Sequence, residues 1–161
     1  MKKYIFVLLV ASSLFYSCSK EETDTTKPEI DLDFPGAFPQ NCDVIYFDEE
    51  FTLKIRFTDD TELGSFSLDL HNNFDHHTHS TEAEKCDFHP DKDAINPYKF
   101  VQDYSIPEGS TEYIFEQKMT ISSQNANGQV DDGDYHLYIR LTDRTGWSSL
   151  KGLSLKILNR D

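Results

Sequence analysis

Histidines are the residues of this chain best suited to chemistry. All six lie after residue 70, and four of them fall within nine residues. Neutral imidazole is the commonest side-chain ligand of zinc, copper and nickel, and carboxylates complete such sites. The sequence therefore predicts a divalent metal site, with zinc or copper as the metal. The candidate ligands are His71, His76, His77, His79 and His136, with Asp69 or Asp75 as a carboxylate ligand or as a partner of a histidine.

The spacing of these histidines matches no named zinc motif, so the metal hypothesis rests on composition. Histidines in a polar loop can instead hydrogen-bond backbone groups, and Asp–His pairs can order a turn without any metal. The enzyme motifs G-x-S-x-G, P-loop and H-E-x-x-H do not occur in the sequence. We therefore expect a binding protein and not an enzyme, and both interpretations of the histidines stay open.

An alternation of apolar and polar residues recurs along the chain and determines where these histidines lie. Phe51, Leu53, Ile55 and Phe57 alternate with polar neighbours, as a strand with one buried face requires. The same pattern covers residues 29–34, 65–71, 101–106, 113–121, 135–142 and 153–157. Turn-forming residues separate these runs, and no comparable helical stretch occurs. The sequence thus predicts an all-β chain folded as an antiparallel β-sandwich.

A tyrosine motif narrows this fold to an immunoglobulin-like sandwich of about seven strands. Asp131-x-Gly133-x-Tyr135-x-Leu137 matches the turn into strand F of such domains. In that turn the tyrosine hydroxyl bonds back to the backbone, an arrangement called the tyrosine corner. The strand at 135–142 then corresponds to strand F, and the strand at 65–71 to its antiparallel neighbour, strand C.

Strand parity brings two of the histidines together. Asp69 and His71 alternate with the apolar residues of strand C, and His136 alternates with those of strand F, so all three should face solvent. Because strands C and F are neighbours, we expect His71 and His136 to be cross-strand partners. The segment from His76 to His79 would then lie above this pair.

The first residues have the layout of a secretory signal. Two lysines precede an apolar run, Ile5–Val10, that is shorter than the roughly 20 residues needed to span a bilayer. Ser17-Cys18 resembles a lipobox, in which the cysteine becomes the lipidated first residue; an ordinary cleaved signal is the alternative. We expect a signal peptide (1–17), a flexible tether (18–28) and the sandwich domain (29–161) with a histidine-rich insertion near 71–100.

Charge and the remaining cysteines restrict the partners and the compartment. The net charge is −14 at pH 7, which argues against nucleic acid and against anionic lipid head groups, since both require basic patches. The membrane is therefore expected as a partner only through the lipid anchor. Cys42 and Cys86 remain, and export permits a disulfide between them. Two buried thiols, or thiolate ligands, are the alternatives.

The chain resembles the Bacteroidota lipoprotein family catalogued as domain of unknown function 4625. The resemblance rests on the lipobox start, on Lys27–Ile30, on the segment from His71 to Ser80, and on Asp132-Gly133-Asp134-Tyr135-His136. It implies an immunoglobulin-like fold on a surface or envelope lipoprotein, and it brings no established activity. Lys20-Glu21-Glu22, after the cysteine, also resembles the signal that sends such lipoproteins to the outer face of the outer membrane.

Two functions follow from these observations. The first is a surface-exposed outer-membrane lipoprotein that binds a divalent transition metal, or a metal-bearing ligand, through its histidine segment. The second is a non-enzymatic adhesion or accessory module that binds a protein or a glycan, in which the histidines are structural. Metal uptake by the purified protein distinguishes the two.

Lipidation gives the first testable prediction. Cys18→Ala should release the mature protein from the membrane, because the acyl chains supply the affinity at about 0.8 kcal/mol per buried CH₂. Cell fractionation and mass spectrometry of the N-terminus check this. An unmodified mature N-terminus elsewhere in the chain would show that the motif is not a lipobox.

Overall fold

The computed structural model describes residues 24–77 and 86–160, and within these ranges the chain forms ten β-strands and no helix. The predicted signal peptide, the lipidated Cys18 and His79 lie outside the described residues. No described helix is long and apolar enough to cross a membrane. The strands are β1 (Glu29–Asp31), β2 (Val44–Tyr46), β3 (Glu50–Thr58), β4 (Leu63–Asn72), β5 (Phe100–Ser105), β6 (Glu112–Thr120), β7 (Gln124–Asn125), β8 (Gly128–Gln129), β9 (Gly133–Asp143) and β10 (Ser148–Leu158).

The strands form the two sheets of an immunoglobulin-like sandwich, which confirms the predicted fold. One sheet has the order β1-β3-β6 and the other has the order β2-β10-β9-β4-β5. Neighbouring strands are antiparallel except that β2 runs parallel to β10. This order corresponds to strands A, B and E facing strands A′, G, F, C and C′. The periodicity did not reveal β2 or the hairpin β7–β8, because no alternating run of residues extends over these short strands.

Side-chain alternation places the core between the two sheets. Leu53, Ile55 and Phe57 of β3 point inward and are at most 3% exposed. They meet Leu68 and Leu70 of β4 within one continuous apolar cluster. Each such side chain stabilises the fold by about 1.5–3 kcal/mol through its burial. Residues of the opposite parity on β4 and β9 therefore point outward from the five-stranded sheet.

The predicted tyrosine corner is present at the start of β9. The hydroxyl of Tyr135 donates a hydrogen bond to the carbonyl of Asp131 and accepts one from the backbone N–H of Tyr98 at 3.1 Å. Burial raises the pKa of Tyr135 to about 12, so the hydroxyl remains protonated and able to donate. Gly133 has a φ of 126°, in the left-handed region that favours glycine.

The segment between β4 and β5 is held against the start of β9. Asp131 Oδ2 accepts the backbone N–H groups of Ile95 and Asn96, both at 2.7 Å. Asp134 Oδ2 accepts the backbone N–H of His89 at 2.7 Å. The predicted disulfide between Cys42 and Cys86 joins the same segment to the chain before β2. We call the described parts of this segment, residues 73–77 and 86–99, the insertion.

The disulfide gives the second testable prediction. It closes a loop of 44 residues, so Cys42→Ser with Cys86→Ser should lower the free energy of unfolding by about 4 kcal/mol, because the unfolded chain regains loop entropy. Urea unfolding measures the loss, and wild-type protein unfolded under a thiol reductant should match the variant. Two reactive thiols in unreduced, denatured protein would contradict the bond.

Candidate metal site

His71 and His136 form the base of the candidate site. They lie directly opposite each other in the antiparallel register of β4 and β9, as the strand parity predicts. Their ring centroids are 6.0 Å apart and their rings are nearly perpendicular, at 81°. The paired strands therefore fix two imidazoles on the outward face of the five-stranded sheet.

His77 reaches this pair from the insertion. A turn after β4 brings it back, with the backbone N–H of Asn73 bonded to the carbonyl of Asp134 at 2.8 Å. The His77 ring stacks parallel to that of His71, with centroids 5.7 Å apart, and lies 5.3 Å from that of His136. One ring nitrogen from each of the three histidines lies within 4.8 Å of the other two. This is the spacing at which one ion can be shared.

Asp69 and Asp75 lie behind the imidazoles. Asp69 Oδ1 is 2.9 Å from Nδ1 of His71, and Asp75 Oδ1 is 2.5 Å from Nδ1 of His77. The hydrogen bond from His77 holds the pKa of Asp75 below its usual range, which keeps the carboxylate ionised. A carboxylate that accepts the Nδ1 proton directs the lone pair of Nε2 toward a metal. Of the two roles predicted for these aspartates, the geometry fits that of histidine partner.

The amide orientation of Asn73 and the tautomer of His136 depend on each other. Its amide group is 2.8 Å from Nε2 of His136, and both residues are 1% exposed. An amide nitrogen at Nε2 requires the imidazole proton on Nδ1, whereas an amide oxygen requires it on Nε2. The two amide orientations fill the same space. Metal binding through Nδ1 of His136 therefore selects the orientation in which Asn73 accepts a hydrogen bond from Nε2–H.

The predicted solvent exposure of His136 is wrong. The outward face of β9 is covered at this position by the insertion, so that His136 is buried on the side away from the core. Side-chain exposure is 24% for His71 and 37% for His77. These two rings line an open groove of about 360 Å³ that Lys92 and Asp93 also line. A metal can enter from this groove, and water can complete its coordination.

His76 does not join the other three histidines. It has a φ of 51°, and its ring stacks on that of Phe88 with centroids 4.7 Å apart. Its Nδ1 lies 2.6 Å from Asp91 Oδ1. His79, the remaining candidate ligand, lies outside the described residues. The sequence analysis assigned neither Asn73 nor Asp134 a role beside the histidines. The parity that Asp134 shares with His136 was visible in the sequence, but its burial beside histidines was not.

Three neutral nitrogen donors with carboxylates behind two of them form a donor set suited to zinc. Zinc with three protein ligands keeps a fourth position for water or for another ligand. Copper and nickel also accept imidazole ligands. The arrangement can thus bind a divalent ion and leave one coordination position toward the groove.

Comparisons with known proteins identify a family but no activity. The model of the family described as "Domain of unknown function (DUF4625)" matches residues 16–158. No curated protein sequence matches the chain. Similar solved structures include a mutant of the SrpA adhesin from Streptococcus sanguinis, at 18% identity and a TM-score of 0.38, with 86% of this chain and 57% of that chain covered. They also include Spo0M, a sporulation control protein from Bacillus subtilis, at 10% identity and a TM-score of 0.37, with 83% and 49% covered. The chain spans about half the length of these two structures, and such scores carry no argument about function.

Asn73 gives the third testable prediction. Asn73→Ala should lower the free energy of unfolding by about 1–3 kcal/mol, because Nε2 of His136 then stays buried without its partner. Urea unfolding of the metal-free protein measures this loss. Asn72→Ala, at the half-buried neighbouring position, is the control and should cost less. Equal losses in the two variants would show that the Asn73–His136 hydrogen bond contributes nothing particular.

Proposed function

The chain belongs to the DUF4625 family, and we propose that it is a lipoprotein that binds a divalent transition metal through His71, His77 and His136. Its proposed location is the outer face of the outer membrane, as in the Bacteroidota lipoproteins that it resembles. The lipobox around Cys18 supports the anchor. The proposed role is binding and not catalysis.

The convergence of three imidazoles from separate parts of the chain supports the metal proposal. His71 and His136 come from neighbouring strands and His77 comes from the insertion, yet their nitrogens lie within 4.8 Å of one another. Two of the three have a carboxylate on Nδ1, the arrangement that outer partners of metal-bound histidines show. Histidines that only ordered a turn would have no need to converge.

Zinc is the preferred metal of this proposal. Three imidazoles can hold it at about 2.0–2.1 Å per nitrogen, and copper and nickel are its competitors. Because the ligands must be deprotonated, affinity should fall as the solution is made more acidic. The acidic chain attracts cations in general, so site-specific variants are needed to separate binding at this site from nonspecific binding.

Asp75 gives the fourth testable prediction. Asp75→Asn should weaken zinc binding about 10–100-fold, because His77 loses the carboxylate that orients it. His71→Ala with His77→Ala should abolish the site. Calorimetry on the chelator-treated full chain with zinc, copper and nickel measures both effects. Asp93→Asn removes an equal charge from the lining of the same groove and should leave the affinity unchanged.

The same titration tests the competing function. Zinc should also raise the melting temperature of the wild type with increasing concentration, since it binds the folded state. If the wild type takes up no more metal than the double histidine variant, and binds it no more tightly, the three histidines are structural. The adhesion or accessory module, with a protein or glycan partner, then becomes the better hypothesis.

A further inference from the structure

A second group of imidazoles and carboxylates lies on the other side of the same turn. It consists of His76, His89, Asp91 and Asp134, and we call it the Asp134 group. His76 and His77 are consecutive, yet their side chains go to different partners. The three histidines of the first site do not belong to this group, so the first site does not explain why these residues lie together.

Asp134 is the buried centre of this group. It lies on the outward face of β9, is 3% exposed, and is covered by the insertion. Its Oδ2 accepts the backbone N–H of His89, but its buried Oδ1 accepts no hydrogen bond. The Nδ1 atom of His89 lies 3.5 Å from Oδ1. A carboxylate oxygen buried in this way is costly unless a cation neutralises it.

The ring of His76 contains a second buried polar atom that has no hydrogen-bond partner. Its Nδ1 is 2.6 Å from Asp91 Oδ1, so a neutral imidazole at this position carries its proton on Nδ1 and its lone pair on Nε2. That Nε2 is buried, makes no hydrogen bond, and faces Asp134 Oδ2 at 3.5 Å. Two electron-pair donors thus face each other across a buried gap. Such a contact is repulsive, and either a metal ion between the two atoms or a proton on Nε2 relieves the repulsion.

We propose that the Asp134 group is a second divalent-metal site, with His76 Nε2, Asp134 and His89 as its ligands and Asp91 as the carboxylate that orients His76. Two ligands of a tetrahedral zinc ion lie about 3.3–3.4 Å apart, given bond lengths of about 2.0–2.1 Å. The separation of His76 Nε2 from Asp134 Oδ2 is 3.5 Å. Two imidazoles and one carboxylate are a ligand set that zinc uses in proteins.

The surroundings allow the third ligand and the fourth position to form. His89 faces Oδ1 of Asp134 while His76 faces Oδ2, so binding must draw the His89 ring toward the ion. The His89 side chain is 44% exposed, and its rotation therefore disturbs little packing. A cavity of about 230 Å³ is lined by His89, Asp134 and Phe74, among others. It provides space for a water ligand.

Zinc stoichiometry of the full chain tests this proposal. Chelator-treated wild type should take up two equivalents of zinc by calorimetry, with metal analysis after desalting. His89→Ala should retain one equivalent, because His89 is not a ligand of the first site. His71→Ala with His77→Ala should also retain one equivalent, which the further substitution His89→Ala should remove. Asp87→Ala, an exposed carboxylate in the same segment, is the control and should retain two.

The possible outcomes separate this proposal from the proposed function. One equivalent that survives His89→Ala, but not the double variant, supports the first site alone and overturns the second. One equivalent that survives the double variant, but not His89→Ala, supports the second site alone and overturns the first. No uptake by the wild type overturns both, and a protonated His76 then neutralises Asp91 and Asp134. His76→Gln, with folding checked by circular dichroism, repeats the test from a second ligand.

Discussion

The pairing of β4 with β9 is the contact on which both the core and the candidate site depend. In this register Leu70 lies opposite Leu137 on the inner face, while His71 lies opposite His136 on the outer face. A slip of one residue would expose the apolar set and bury the polar set. The hydrophobic core therefore enforces the register, and the register places the two imidazoles together without any contribution from a metal.

The sequence was sufficient to predict the features that follow from the alternation of apolar and polar residues and from the residues of local turns. It predicted the sandwich, the tyrosine corner, the disulfide and the pairing of His71 with His136. The insertion has no period, and it is held by contacts between side chains and backbone, such as Asp131 with Ile95 and Asn96. The sequence predicted that the segment beginning at His76 lies above the His71–His136 pair, but it did not predict that the chain around His89 packs against the start of β9. For that reason the burial of His136 and the separation of His76 from His77 emerged only from the structure.

Buried polar residues lie on and beside the outward face of β9. Asp134, His136 and the adjacent Asn73 are each at most 3% exposed, beneath or within the insertion. An apolar set would cover the sheet at lower desolvation cost, because buried polar groups stabilise only when all of them have partners. The two proposed metal sites use several of these polar atoms as ligands, and metal binding would be a physical reason for a fold to retain them at such a cost.

The two proposed sets of metal ligands both join the sheet to the insertion. In the first set, His71 and His136 come from the strands and His77 comes from the segment above them. In the second set, Asp134 comes from β9, whereas His76 and His89 come from that segment. An ion bound between two layers exists only in the docked arrangement, so its binding free energy adds to the free energy of docking. The disulfide holds the insertion at Cys86, and Asp131 holds its other end. These constraints reduce the entropy that metal binding must overcome, which suits sites whose ligands are already close in the metal-free fold.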